Sequence, residues 1–326
     1  MLQRTHFIRA GLVGLATFAL AGQAIAQEKF PSRPVRMIVG FGAGGSGDLL
    51  ARILAQQMSQ TLGQQVIVEN RPGASAIPAT EYAARAPADG YTIMEYTTTL
   101  AVNTVLQPVP YDLFRDFTPI AYTFSAPLVL LTSGTSPNRK VSDLVAYAKA
   151  NSKGISFGHG GVGSMSHLSG ELFKRDVGID AVSIAYKGNA PAMSDLIGGR
   201  LDYYFSSVNE VLPNIRGGHL HALAVTSTQR DPMLPDVPTM VELGYKDFTP
   251  VVNWGFLAPR NTPPAVVKQL QDAMIKALGT PAMQERLAAV GASSRGAGGP
   301  DVMTSKMKAE IARWEPVIKA ANIKRD

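Results

Sequence analysis

Short apolar runs alternate with amphipathic stretches along most of this chain. The first pair is the apolar run Val35–Val39 and a following stretch in which a leucine or methionine recurs every fourth residue from position 50 to position 62. That spacing places the apolar side chains on one face of a helix, which Asp48 can cap at its start and Gly63 can end. Repeated strand and helix pairs of this kind predict an α/β fold with a largely parallel sheet.

The same pattern continues to the C-terminus. Further strands are predicted at residues 65–69, 91–96, 120–124, 155–157, 181–186, 201–206, 220–226 and 251–258. Helices are predicted at residues 80–85, 141–150, 166–177, 190–197 and 300–321, with two more opened by Thr262-Pro263 and Thr280-Pro281. The strand at 91–96 leads into Thr97, Thr98 and Thr99. Because ligands of open α/β sheets lie beyond the carboxyl ends of the strands, these threonines are expected beside the turn after Val35–Val39.

The pattern also divides the chain into two lobes. A second series of strands and helices begins with the apolar residues 128–131. The proline-rich stretch at 231–238 has the composition of a linker that returns the chain to the first lobe. Lobe one is therefore predicted to comprise residues 27–127 and 228–326, and lobe two residues 128–227.

Two glycine-rich turns carry the candidate chemistry. The first, Phe41-Gly42-Ala43-Gly44-Gly45-Ser46-Gly47-Asp48, follows one predicted strand, and the second, Gly158-His159-Gly160-Gly161-Val162-Gly163-Ser164, follows another. Glycine lets the backbone approach a ligand closely, and the unpaired N–H groups at the start of the next helix carry partial positive charge. Each turn can therefore hold a carboxylate or phosphate without lysine or arginine. Their separation in sequence predicts two lobes that close on one small anion.

Residues 1–26 have the pattern of a secretory signal peptide. Arg4 and Arg9 form a basic start, an apolar run covers residues 11–22, and Ala24-Ile25-Ala26 gives an A-x-A cleavage site before Gln27. The apolar run falls short of the roughly 20 residues that a membrane-spanning helix needs. The chain has no cysteine, which excludes disulfides, thiolate metal sites and a lipoprotein anchor. These features predict export to a bacterial periplasm.

Composition narrows the range of partners. The 326 residues are 45% hydrophobic and 17% charged, as in a globular chain long enough for two lobes. The formal charge is +6, and loss of Arg4 and Arg9 with the signal peptide leaves 29 basic and 25 acidic residues, a net +4. The basic residues form no long run, the tail Lys324-Arg325 being short, so nucleic acid is not an expected partner.

An exported enzyme is the competing interpretation. The first turn satisfies G-x-G-x-x-G, and Glu69 stands 22 residues after Gly47, where a dinucleotide fold places its ribose-binding acid. Against this, a signal without a twin arginine implies export of an unfolded chain, away from any pool of NAD. Gly154-Ile155-Ser156-Phe157-Gly158 matches G-x-S-x-G, but Ser156 lies within a strand and not at a strand-to-helix turn. The histidines lack a clear carboxylate partner, so no metal site and no cofactor is predicted.

Short segments spread over the mature chain form a specific combination. They are Pro31-Ser32-Arg33-Pro34-Val35-Arg36, Gly44-Gly45-Ser46-Gly47-Asp48, Val68-Glu69-Asn70-Arg71-Pro72-Gly73-Ala74, Asp89-Gly90-Tyr91, Gly161-Val162-Gly163-Ser164-Met165-Ser166-His167-Leu168, Tyr186-Lys187-Gly188-Asn189-Ala190-Pro191-Ala192, Ala224-Val225-Thr226-Ser227 and Leu234-Pro235-Asp236-Val237-Pro238-Thr239. Together they resemble the Bug-type periplasmic solute receptors of tripartite tricarboxylate transporters. The resemblance implies an α/β, two-lobed periplasmic binding protein of type II, a Venus flytrap without catalysis. It also implies transfer of a small organic acid to two integral membrane subunits, and we expect the receptor to be a monomer.

The resemblance further implies that backbone N–H groups and waters of the two glycine turns hold one carboxylate of the ligand. The expected ligand-binding residues are Phe41, Gly42, Ala43, Gly44, Gly45, Ser46, Asp48, Thr97, Thr98, Gly161, Val162, Gly163, Ser164, Ser166, His167, Ala190, Pro191, Ser206 and Ser207. His167 is expected to orient the second turn through a hydrogen bond.

Two departures from the family pattern bear on the ligand. The family usually has proline after the phenylalanine of the first turn, whereas Gly42 and Ala43 follow Phe41 here, which makes this turn less rigid. Many relatives have aspartate after the aromatic end of the strand matched by Tyr203-Tyr204-Phe205, where this chain has Ser206-Ser207. A neutral hydroxyl would not repel a second carboxylate. The expected ligand is therefore a dicarboxylate, and the glycine- and alanine-lined walls would admit an aromatic diacid such as terephthalate.

Overall fold

A computed structural model describes residues 30–151, 154–186 and 188–324 of the chain. The predicted signal peptide lies outside these residues. The strands are β1 (Val35–Val39), β2 (Val66–Asn70), β3 (Thr92–Thr97), β4 (Phe117–Ser133), β5 (Ile155–His159), β6 (Ala181–Ala185), β7 (Tyr204–Ser207), β8 (Leu220–Val225) and β9 (Val251–Pro259). The helices are α1 (Ser46–Leu62), α2 (Ile77–Ala84), α3 (Thr98–Leu106), α4 (Val141–Ala150), α5 (Met165–Val177), α6 (Asn189–Ile197), α7 (Val208–Arg216), α8 (Pro264–Leu278), α9 (Pro281–Ala289) and α10 (Pro300–Ala320). Among the described residues, no helix is both long enough and apolar enough to cross a membrane.

The sheet of lobe one has the strand order β2-β1-β3-β9-β4. Its first three strands are parallel, but β9 is antiparallel to both β3 and β4. The sheet is therefore mixed, and not largely parallel as predicted, because β9 returns late in the sequence to separate β3 from β4. Helix α1 packs on this sheet through Leu50, Leu54 and Met58, the face that its sequence spacing predicted.

Strand β4 is the main correction to the predicted elements. Residues 120–124 and 128–131 were expected to form separate strands, but both belong to the single 17-residue strand β4. Its first part pairs with β9, and its last part pairs with β7 and β8 of lobe two. Beside it, the Thr226 hydroxyl accepts the Leu128 N–H at 2.8 Å and lies 2.6 Å from the Pro250 carbonyl oxygen. The continuous strand therefore joins the two lobes.

Lobe two contains the parallel pair β5 and β6, which a bridge between Phe157 and Tyr203 connects to the start of β7. Its core is rich in aromatic rings, including Phe173, Phe205 and Phe248. Phe248 and the C-terminal end of α10, with Trp314, pack in this core. The predicted division, with lobe two at residues 128–227, stays a prediction.

Candidate functional site

A cavity of about 370 Å³, here called the interlobe cavity, lies between the two lobes. Lobe one contributes Phe41, Gly42, Gly45, Ser46, Gly47, Ser75, Thr97, Thr99, Val252 and Trp254. Lobe two contributes Leu128, Gly160, Gly161, Val162, Ser164, Met165, Ser166, Gly188, Asn189, Phe205, Ser206, Ser207 and Glu210. No lysine or arginine is among these described lining residues, so the positive potential that they provide comes from backbone N–H groups.

The first glycine turn joins β1 to α1 and exposes helix N–H groups to the cavity. Gly45 is the N-cap residue of α1, and the N–H groups of Ser46 and Gly47 have no acceptor within the described residues. Gly44 adopts a φ of 85°, a left-handed conformation that favours glycine. Unpaired N–H groups at a helix start attract an anion. This turn therefore has the geometry of an anion site.

Asp48 stabilises the first turn from a position inside α1. The sequence predicted Asp48 as the cap of this helix, and that prediction is wrong, because Gly45 is the N-cap residue. The Asp48 carboxylate accepts the Gly44 N–H at 2.9 Å and also bonds to Arg52 and Asn70. Burial alone would raise the pKa of Asp48, but the hydrogen bonds from Arg52, Gly44 and Asn70 outweigh it and lower that pKa. The ionised carboxylate thus fixes the shape of the turn from behind.

The second glycine turn joins β5 to α5 and is braced by two histidines. Nδ1 of His159 accepts the Gly161 N–H, and Nδ1 of His167 accepts the Gly163 N–H, both at 3.2 Å. The two imidazoles stack with centroids 4.0 Å apart. Burial lowers the pKa of His159, and burial together with the neighbouring charges lowers that of His167 to about 3. Both rings are therefore neutral acceptors at pH 7, and the hydrogen bond predicted for His167 is confirmed.

Helix α5 also directs free N–H groups into the cavity. Ser164 is its N-cap and accepts the His167 N–H at 3.3 Å. The N–H groups of Met165 and Ser166 have no acceptor among the described residues. The starts of α1 and α5, one from each lobe, therefore face the same cavity.

A buried carboxyl group lies behind the first turn. A Cβ atom added to Gly47 would lie 3.0 Å from Oε2 of Glu95 and 3.2 Å from Nε1 of Trp254, so a side chain here would require these neighbours to shift by a few tenths of an ångström. Oε2 of Glu95 has no hydrogen-bond partner within the described residues. Burial, with a smaller contribution from Asp48, raises the pKa of Glu95 to about 8. Glu95 is therefore mainly protonated at neutral pH.

Glu210 on α7 is a cavity residue that sequence reasoning missed. Its carboxylate accepts hydrogen bonds from Ser46 at 3.2 Å, Asn189 at 3.1 Å and Ser206 at 3.0 Å. The sequence analysis treated Ser206 as a neutral residue that would not repel a second carboxylate of the ligand. In the structure its hydroxyl donates a hydrogen bond to the Glu210 carboxylate. Since α7 was not predicted, no signal marked Glu210 as facing the cleft.

The structure brings together part of the expected ligand-binding set. Those that line the cavity are Phe41, Gly42, Gly45, Ser46, Thr97, Gly161, Val162, Ser164, Ser166, Ser206 and Ser207. Those that do not are Ala43, Gly44, Asp48, Thr98, Gly163, His167, Ala190 and Pro191. Thr98 is turned away because its hydroxyl accepts the Asn253 N–H at 3.0 Å, whereas Thr97 and Thr99 face the cavity. Trp254 is buried and also lines the cavity.

Comparisons with known proteins agree with this architecture. A family model described as the tripartite tricarboxylate transporter family receptor (TctC) matches residues 50–323. BugT of Bordetella pertussis is 36% identical over 313 residues, which cover 95% of this chain and 95% of that protein. Rpa4515 of R. palustris with adipate has a TM-score of 0.83 at 35% identity, over 90% of this chain and 99% of that one. MatC from Rhodopseudomonas palustris with bound malate has a TM-score of 0.78 at 32% identity, over 89% and 100% of the two chains.

The fold is that of the two-lobed periplasmic binding proteins. The chain belongs to the TctC family of tripartite tricarboxylate transporter receptors, which confirms the Bug-type resemblance. This family consists of solute-binding receptors and not of enzymes. Glu69, the acid on which a dinucleotide site would depend, is ion-paired with Arg36 at 3.3 Å and Arg71 at 2.6 Å.

Proposed function

We propose that this chain is a periplasmic receptor that captures a small dicarboxylate for uptake by a tripartite tricarboxylate transporter. The observation that carries the proposal is that α1 and α5 direct unpaired N–H groups from opposite lobes into one cavity. Such donors bind a carboxylate without a cationic side chain. The related structures hold adipate and malate, which are both dicarboxylates.

The rest of the cavity supports a ligand with two polar ends and an apolar middle. Phe41, Phe205 and Trp254 supply aromatic surface. The Thr97 hydroxyl is buried without a hydrogen-bond partner within the described residues, and Ser207 lines the same cavity, so we assign the second carboxylate to these two residues. The cavity volume is near the lower end of the range of about 300–1,000 Å³ typical of ligand pockets, which favours a compact diacid, aromatic ones such as terephthalate included.

The cellular role follows from the family. Export through the predicted signal peptide at residues 1–26 would deliver the receptor to the periplasm, where it would pass its ligand to two integral membrane subunits. We propose that it works as a monomer.

A thermal-shift screen of residues 27–326 tests the proposal. The protein is unfolded and refolded to remove bound ligand, then exposed to adipate, malate, terephthalate, acetate and a neutral amino acid. A diacid at 100 times its Kd should add about 2.7 kcal/mol to the free energy of unfolding. Calorimetry then gives the affinity. Stabilisation by the amino acid alone, or by none of these compounds, would reject the proposal.

A further inference from the structure

A second cavity, here called the hinge cavity, lies behind the strands that join the lobes and has a volume of about 670 Å³. Along β9, Val252 and Trp254 line the interlobe cavity, whereas Val251 and Asn253 line the hinge cavity. Successive side chains of a strand point to opposite faces. The two cavities therefore lie on opposite faces of the same strands and are separate sites.

The hinge cavity has cationic lining residues, whereas the described residues that line the interlobe cavity include none. The cationic residues of the hinge cavity are Arg230, Arg295, Lys306 and Arg313. Arg230 is paired with Glu242 at 3.0 Å, but the other three form no salt bridge within the described residues. Arg295 donates to the amide oxygen of Gln229 at 3.1 Å, and Arg313 donates to the Thr249 carbonyl at 2.8 Å. Lys306 lies 5.0 Å from the ring centroid of Tyr122.

Two acidic residues also line this cavity, and neither forms a salt bridge with these cations. Asp231 is buried and accepts the Met233 N–H at 2.8 Å, and burial raises its pKa. Glu310 is also buried, accepts from Asn253 and Trp314, and has a pKa raised by burial. Both carboxyl groups are thus held by neighbours on the cavity wall. The Ser227 hydroxyl oxygen is buried without a partner among the described residues.

We propose that the hinge cavity binds a small di- or trianion, held by Lys306, Arg295 and Arg313. The volume fits a small molecule. Charge-assisted bonds from guanidinium and ammonium groups are the strongest that such an anion can form. The anion would contact β4, β9 and α10 together, at the place where the lobes join.

Inorganic phosphate at low ionic strength and pH 8, where it is mostly a dianion, serves as the probe. Calorimetry should show saturable binding to the wild-type receptor. Lys306→Gln with Arg295→Gln should weaken it at least tenfold, because both side chains are exposed and their loss leaves the core intact. Arg216→Gln, an exposed arginine on α7 outside both cavities, is the matched control and should not change the affinity.

The site assignment is checked with Gly45→Val, which alters the interlobe cavity. Phosphate binding that disappears in Gly45→Val but persists in the Lys306 and Arg295 double variant would place the anion in the interlobe cavity and overturn the proposal. Absence of saturable binding to the wild type would overturn it as well. Thermal melting of each variant confirms that it is folded, and Lys306→Gln alone provides a milder variant.

Discussion

Ser46 of lobe one and Glu210 of lobe two are hydrogen-bonded across the mouth of the interlobe cavity, with Oγ and Oε1 3.2 Å apart. Nδ2 of Asn209 donates to the same hydroxyl at 3.1 Å. The Ser46 hydroxyl therefore links α1 to α7, at the start of the helix whose N–H groups face the cavity. This pair connects lobe closure to the anion site.

Ser46→Ala should shift the receptor towards an open arrangement. The two lost hydrogen bonds are partly exposed, so we expect a change of about 1 kcal/mol, roughly fivefold in the ratio of closed to open forms. Small-angle scattering of the ligand-free variant should show a larger radius of gyration than that of the wild type. Ser142→Ala, an exposed serine bonded within lobe two, is the control. Identical scattering curves for Ser46→Ala and wild type would mean that this contact does not hold the lobes.

Gly45→Val should lower ligand affinity at least tenfold. Gly45 has a φ of −75°, which a residue with a side chain adopts, so the valine obstructs the cavity without straining the backbone. Gly279→Val is the control, because Gly279 also flanks a helix, at the C-terminal end of α8, has a negative φ of −78° and lies outside the cavity. Calorimetry with the diacid selected by thermal shift measures the affinities of both variants. Unchanged affinity in Gly45→Val would argue against the first turn as the anion site.

Glu95 should make the protein less stable as the pH rises. Its pKa is about 8 in the folded chain against 4.5 for the free side chain, so between these values the unfolded state binds fewer protons. The free energy of unfolding should then fall by up to about 1.4 kcal/mol per pH unit. In denaturant titrations between pH 5 and 8, the free energy of unfolding of Glu95→Gln should fall less with rising pH than that of the wild type. The exposed Glu285→Gln should follow the wild-type slope, and a Glu95→Gln slope equal to wild type would contradict the assignment.

His167 should have the opposite pH dependence. Its pKa is about 3 in the folded chain against 6.5 for the free side chain, so below pH 6.5 the unfolded state binds more protons and the stability falls as the pH falls. His167→Asn keeps an acceptor for the Gly163 N–H but cannot take up a proton in this range. The free energy of unfolding of this variant should fall less steeply from pH 6.5 to 4 than that of the wild type. His159, whose pKa is also lowered, should account for part of the decline that remains. Exposed His219→Asn is the control, and an unchanged slope in His167→Asn would show that His167 does not titrate in this way.

The sequence predicted the elements whose patterns are local. Strand β1 and helix α4 have the predicted bounds, and α1 ends at Gly63 in the left-handed conformation expected of a helix C-terminus. The two glycine turns were recognisable because glycine and a following helix are enough to define an anion site. Both turns lie on the cavity as predicted from these motifs.

The missed features depend on contacts between distant residues. Pro127 interrupts the apolar run of β4, which made one strand look like two, although β9 pairs along it to Pro127 itself. Pro213 lies inside α7 and hid that helix, and Glu210 with it. The orientation of Thr98 depends on a bond to Asn253, which is 155 residues away. Spacing within the sequence carries no information about such pairs.

Ser207→Asp tests whether the ligand has two carboxylates. Ser207 lines the interlobe cavity and is the N-cap of α7, a position where aspartate is favoured, so the fold should be preserved. A negative charge there would oppose the second carboxylate inside the protein, where the effective dielectric constant is lower than in bulk water and the repulsion is correspondingly stronger. Affinity for a diacid such as adipate should fall at least tenfold, and affinity for the matched monoacid hexanoate should fall much less. Ser194→Asp, on the exposed face of α6, adds the same charge outside the cavity and should change neither affinity. Equal losses for the diacid and the monoacid would place the second carboxylate elsewhere, with Thr99 as the next residue to substitute.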